Sequence, residues 1–112
     1  MAKQATRTYS RITRHAATLL GKQIRIARKA RKMTTQDLSD RAGISRGLLQ
    51  RIEKGNLKCQ IGAVFEVATL VGLKLFDTDD STLVERIRQA DDKLALLPKH
   101  IHPGKQVVDD DF

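Results

Sequence analysis

Apolar residues recur along this chain at the spacings of amphipathic helices. Ile12, Ala16, Leu19, Leu20, Ile24 and Ala27 fall three and four residues apart, predicting a long helix over residues 10–32 with Gly21 as its weak point. Arg and Lys crowd its last turn, where cations complement the negative end of the helix dipole. Thr34-Thr35-Gln36-Asp37 has the form of a capping box and opens a short helix that runs through Ala42 and ends at Gly43. Ser45 caps the next helix, whose apolar positions Leu48, Leu49 and Ile52 face inward and which stops at Gly55. A very tight turn therefore joins two short helices. Ile61, Val64, Phe65, Ala68 and Val71 mark the inward face of a further helix over residues 61–71, stopped by Gly72.

Beyond that point the pattern changes. Residues 73–76, Leu-Lys-Leu-Phe, alternate apolar and polar and are expected as a short strand, which needs a pairing partner. Residues 82–85 repeat the capping pattern, and from there Leu83, Ile87, Ala90, Leu94 and Leu97 recur at steps of four, three, four and three. This heptad-like stripe spans about two heptads, which favours packing onto the domain or a partner over an independent coiled coil. The polar, aperiodic residues 1–9 are expected as a flexible basic arm, and residues 99–112, with Pro103, Gly104 and Asp109 to Asp111, as a disordered acidic tail. The resulting organisation is an arm (1–9), a domain (10–72), a strand and amphipathic helix for dimer or partner contacts (73–98) and a tail (99–112).

Composition narrows the class. A chain of 112 residues has material for one core, and with 40% hydrophobic residues, 4% aromatics and no Trp, that core must be Leu, Ile, Val and Ala. The formal net charge of +8 is unevenly placed: residues 1–58 hold 15 Lys and Arg against Asp37, Asp40 and Glu53, whereas residues 59–112 hold 6 against 10 acids. A cationic half attracts polyanions by releasing their condensed counterions, and nucleic acid is the commonest such partner. The alternative is a solvated surface that serves solubility.

Cys59 stands alone, which excludes an intramolecular disulfide and a cysteine zinc cluster and fits a reducing cytoplasm. The start of the chain lacks an apolar core of signal-peptide type, and no stretch approaches the roughly 18 apolar residues of a membrane span. A cytoplasmic protein without membrane contact is expected. His15, His100 and His102 make no ligand spacing with Cys59, and neither a Ser-His-Asp or Cys-His set nor a phosphate-cradling glycine loop occurs. No enzyme activity, metal or cofactor is expected.

The segment TTQDLSDRAGISRGLLQRIEKG, residues 34–55, resembles the helix-turn-helix of the Xre/Cro family of bacterial and phage repressors, and the likeness extends over residues 19–71. Leu38 and Ala42 in the first helix, Gly43 at the turn, Ile44 behind it, Ser45 as a cap, and Leu49 and Ile52 in the second helix carry it together. Gly43 suits a turn that needs positive φ, and Ser39 takes a small-residue position where the family often has Ala. The fold so implied is all-α, a five-helix domain like that of lambda repressor, here with a short dimerising strand and an extra C-terminal helix. Arg28 and Glu53 occupy the positions of a structural ion pair in the family.

By the same resemblance the second helix of the motif reads DNA. Carried over by position, Ser45, Arg46, Gly47, Gln50 and Arg51 face the bases, Thr35 and Gln36 meet phosphate at a helix start, and Lys54, Asn56 and Lys58 touch the opposite phosphate flank. Arg pairs with guanine O6 and N7, and Gln with adenine N6 and N7. Gly47 departs from the usual long polar side chain, which shifts the reading onto Arg46 and Arg51 or onto DNA shape.

The implied function is repression by a homodimer on a palindromic double-stranded operator, with half-sites about one helical turn (~34 Å) apart. A domain followed by a short apolar strand and an acidic tail is also similar to HipB-type antitoxins, which neutralise HipA-type kinase toxins and repress their own operon. In those proteins the strand pairs across the dimer axis, the role expected of residues 73–76. The alternative is a stand-alone phage or restriction-system regulator with no toxin partner.

Overall fold

The computed structural model describes residues 8–103, in which every regular element is helical: α1 (Arg11–Ala30), α2 (Thr35–Ala42), α3 (Arg46–Glu53), α4 (Ile61–Leu70), a 3-10 turn (Leu75–Asp77) and α5 (Asp80–Ala95). Most of the arm expected over 1–9 and of the tail expected over 99–112 lies outside the described residues. The chain divides into two units, residues 1–77 and 78–112.

In the first unit, side-chain oxygens at the helix starts fix where the elements begin. The Ser10 hydroxyl accepts from the Thr13 N–H at 3.3 Å to start α1, and the Ser45 hydroxyl accepts from the Leu48 N–H at 3.0 Å to start α3. Thr34 and Asp37 form the reciprocal capping box of α2, through Asp37 N–H to Thr34 Oγ1 at 3.0 Å and Thr34 N–H to Asp37 Oδ2 at 3.1 Å. The four helices close over Ile24, Leu38, Leu49, Ile52, Val67, Ala68 and Val71, an aliphatic core as the composition requires. Each large member contributes about 1.5–3 kcal/mol by leaving water.

Gly21 is not a weak point of α1. A Cβ built there would stand 2.6 Å from the main-chain oxygens of both Ile52 and Glu53, so only glycine lets α1 cross the end of α3 this closely. In α4 the buried residues are Val67 and Ala68, with Val71 just past its end, while Val64 and Phe65 are half-buried and Ile61 is 68% exposed. The expected inward face is thus shifted, because IGAVFEVATL is apolar nearly all round and its periodicity leaves the phase open.

The strand expected at residues 73–76 is absent. The Leu73 N–H bonds back to the Ala68 carbonyl at 2.9 Å, Leu73 and Leu75 pack against the core, and Phe76 and Asp77 take φ of 58° and 56° within the 3-10 turn. The alternation arises from two leucines returning to the same core, and no strand exists among the described residues for this segment to pair with.

In the second unit α5 begins before the expected Thr82. Asp79 caps it by accepting from the Thr82 N–H at 3.0 Å, which makes Thr82 a residue of the first turn. Arg88 bridges Glu85 at 2.6 Å and Asp92 at 3.2 Å along one side of this helix. Among the described residues no helix is long and apolar enough to cross a membrane.

Candidate nucleic-acid interface

The geometry of α2 and α3 turns on three residues. Gly43 ends α2 at φ 70°, its N–H reaching the Asp40 carbonyl at 3.2 Å while the Ile44 N–H reaches the Ser39 carbonyl at 3.0 Å. Ser39 is fully buried, and its hydroxyl is satisfied by donating to the Gln36 carbonyl at 3.1 Å. Ile44 then packs against the core and Ser45 starts α3, so the chain reverses direction with its polar groups paired. Leu49 and Ile52 point inward from α3, whereas Arg46, Gly47, Gln50 and Arg51 are exposed.

Beneath this surface Arg28 of α1 holds Glu53 at the end of α3, with Nε to Oε2 at 2.7 Å and Nη2 to Oε1 at 3.1 Å. Arg28 Nη1 also donates to the Met33 carbonyl at 2.9 Å, tying the segment between α1 and α2 to the same pair. The hydrogen bonds that Arg28 donates to Glu53 raise the Arg28 pKa above its ordinary value, against the desolvation of burial and with Coulombic help from the same carboxylate. The pair is fixed and neutralised, so it shapes the surface.

A cleft of about 270 Å³ over that pair is lined by Arg25, Arg28, Thr35, Gln50, Glu53 and Lys54. It joins the start of α2 to the outer face of α3, and brings Thr35, Gln50 and Lys54 together. Arg25 was not among the residues singled out by sequence. Its signal is its position one helical turn before Arg28, on the same side of α1.

The remaining predicted residues occupy distinct places. Arg51 leans along α3 toward its first turn, with Nη1 3.8 Å from where a Gly47 Cβ would be, in the room that glycine leaves. Gln36 donates from Nε2 to Asp40 Oδ1 at 2.7 Å, so its amide is held by its own helix, although the first backbone N–H groups of a helix have no intrahelical acceptor. Asn56 Oδ1 accepts from the Lys58 N–H at 2.7 Å and shapes the turn after α3. Beside it a groove of about 460 Å³ is lined by Thr8, Tyr9, Arg14, Asn56, Leu57 and Lys58. Arg14, held by the Tyr9 carbonyl, is a second cation that sequence reasoning missed, because its distant neighbours Asn56, Leu57 and Lys58 come from the segment after α3.

Asp37 is the one acid at the start of α2. The hydrogen bond from the Thr34 N–H, helped by the Thr34 hydroxyl and the Arg41 charge, holds its carboxyl below the usual carboxylate range. Cys59 is a half-buried free thiol, and among the described residues no group of three or more His, Cys, Asp and Glu gathers as a metal site would require.

The profile of the helix-turn-helix domain family matches residues 19–79, from within α1 through the 3-10 turn. Over 53 residues the chain is 34% identical to the uncharacterized HTH-type transcriptional regulator y4dL of Sinorhizobium fredii (strain NBRC 101917 / NGR234), a stretch amounting to 47% of this chain and 27% of that protein. The chain thus aligns with about a quarter of that relative's length. No solved structure gives a significant match.

Proposed function

The chain belongs to the helix-turn-helix domain family, and from that membership we propose that it is a transcriptional repressor of Xre/Cro type that binds a palindromic operator as a symmetric dimer. The observation that carries this reading is the division of α3, with Leu49 and Ile52 in the core and Arg46, Gln50 and Arg51 side by side on the exposed face of a Ser45-capped helix. Set in a major groove, such a face offers Arg46 and Arg51 to guanine and Gln50 to adenine, while Ser45 and Gly47 keep the first turn small enough for close approach. Thr35, Gln36, Lys54, Asn56 and Lys58 hold the flanking phosphates, and Arg25 and Arg14 extend that cationic border. Repression follows from occupancy of the operator in the cytoplasm. The relative from Sinorhizobium fredii, named as a transcriptional regulator, supports the same class.

Footprinting the purified chain on the DNA upstream of its own coding sequence tests this. Two protected half-sites about one helical turn apart, weakening steeply as salt rises, are expected. Binding with no preferred site would overturn it.

A second reading is a HipB-like antitoxin that neutralises a HipA-type kinase toxin and represses its own operon. It rests on the acidic tail expected over residues 99–112, with Asp109 to Asp111, but the dimerising strand expected at residues 73–76 is replaced by the 3-10 turn. Co-purification with a kinase encoded beside it would support that role. A chain that purifies alone and acts only on DNA is the stand-alone phage or restriction-system regulator.

A further inference from the structure

α5 presents an apolar stripe that nothing in the reading above uses. Leu83, Ile87, Ala90 and Leu94 follow one another at steps of four and three, Leu83 half-buried and Ile87 and Leu94 60% and 65% exposed. Leu97, 59% exposed, continues the step just past the helix end. With Ile87 and Leu94 at heptad position a, and Leu83 and Ala90 at d, Glu85 and Asp92 fall at f and Arg88 at b. The ion pairs of Arg88 with Glu85 and Asp92 therefore lie on the face away from the stripe. Arg86 and Lys93 flank the stripe at g, and Asp91 flanks it at e.

These flanks identify the occupant. In a parallel, in-register pair of such helices, position g of one helix faces position e five residues on in the other, which sets Arg86 against the partner's Asp91 twice by symmetry. An antiparallel pair sets g against g, bringing Arg86 to the partner's Lys93, a like-charge contact. The stripe is thus charge-complementary to itself in one orientation and repels itself in the other. A 16-residue helix is also near the length at which an isolated helix is marginal in water, so it gains from a cover.

We propose that α5 pairs in parallel with α5 of a second copy of this chain and forms the dimer contact of the regulator. The proposal rests on the dimeric DNA-binding reading. A parallel helix pair is an isologous interface with its two-fold axis between the helices, the symmetry that a palindromic operator demands.

Sedimentation of the full chain off DNA, with thermal melting to show that the helix-turn-helix unit stays folded, tests the surface. The wild type should be a reversible dimer and the double variant I87D/L94D a folded monomer. R86D should weaken dimerisation about five- to tenfold, since two attractive contacts become repulsive, and R86D/D91R should restore it. In a C59S background, L94C should oxidise to a disulfide-linked dimer, because parallel pairing places the two sulfurs together whereas antiparallel pairing separates them. A dimer indifferent to I87D/L94D and R86D would overturn α5 as the interface and leave the dimeric regulator intact. A chain monomeric both free and on its operator would overturn both. A stripe covered only in a complex with a different protein would likewise overturn the pairing.

Discussion

Arg28 and Glu53, 25 residues apart in sequence, meet through two hydrogen bonds of 2.7 and 3.1 Å with side chains only 8% and 7% exposed. The contact clamps the end of α3 to α1 and, through the Met33 carbonyl, to the approach to α2. Removing one partner leaves an uncompensated buried charge, so Glu53→Ala should destabilise the fold by about 3–5 kcal/mol. Replacing both with apolar residues of similar volume, as in Arg28→Met with Glu53→Leu, should cost far less. Urea unfolding of the three variants decides; a Glu53→Ala loss no larger than that of the double variant would show that the pair carries no such burden.

Two helical glycines should respond in opposite ways to the same substitution. Gly21→Ala gains helix propensity of about 1 kcal/mol but drives a Cβ to 2.6 Å from two main-chain oxygens, so the net effect should be destabilisation of about 1–3 kcal/mol. At Gly47 the nearest atom is 3.8 Å away, an ordinary contact, and Gly47→Ala should stabilise by about 0.5–1 kcal/mol. Thermal melts in parallel would expose a wrong account if both variants moved in one direction.

The capping box ties stability to acid pH. Hydrogen bonds from Thr34 lower the Asp37 pKa in the folded state, so between the folded and the ordinary carboxylate values the unfolded chain binds more protons. The contribution is therefore complete above the ordinary value and is lost as pH falls through the depressed one. Melting temperatures should fall in that acid window for the wild type and less for Asp37→Asn, which keeps an acceptor oxygen but does not titrate. Equal acid sensitivity of the two proteins would remove Asp37 as a source.

How much of this was legible beforehand depends on the range of each contact. The Thr34–Asp37 box, the Ser45 cap and the Gly43 turn involve residues within five positions of one another, and sequence marks them directly. The necessity of Gly21 was not visible, because the atoms that demand it belong to Ile52 and Glu53. The phase of α4 was hidden by apolar residues on all its sides, and the false strand at 73–76 came from Leu73 and Leu75 sharing one core. At α5 the capping pattern pointed to Thr82, while Asp79, three residues earlier, takes the cap. In the candidate interface, Arg28 and Glu53, like Arg46, Gln50 and Arg51, were located through the family resemblance. Arg14 and Arg25 join the surface only through neighbours supplied by other elements.

The central claim is that the exposed face of α3 reads bases while the residues after it hold phosphates. Its most direct test is the affinity of the wild type, Arg51→Ala and Lys58→Ala for the footprinted operator and a set of single-base variants, each at several salt concentrations. Arg51→Ala should lose about 1–3 kcal/mol on the operator and relax discrimination at one base pair, whereas Lys58→Ala should weaken every sequence alike and lower the salt slope by about 1. A uniform loss for Arg51→Ala across all variants, with discrimination unchanged, would contradict the assignment.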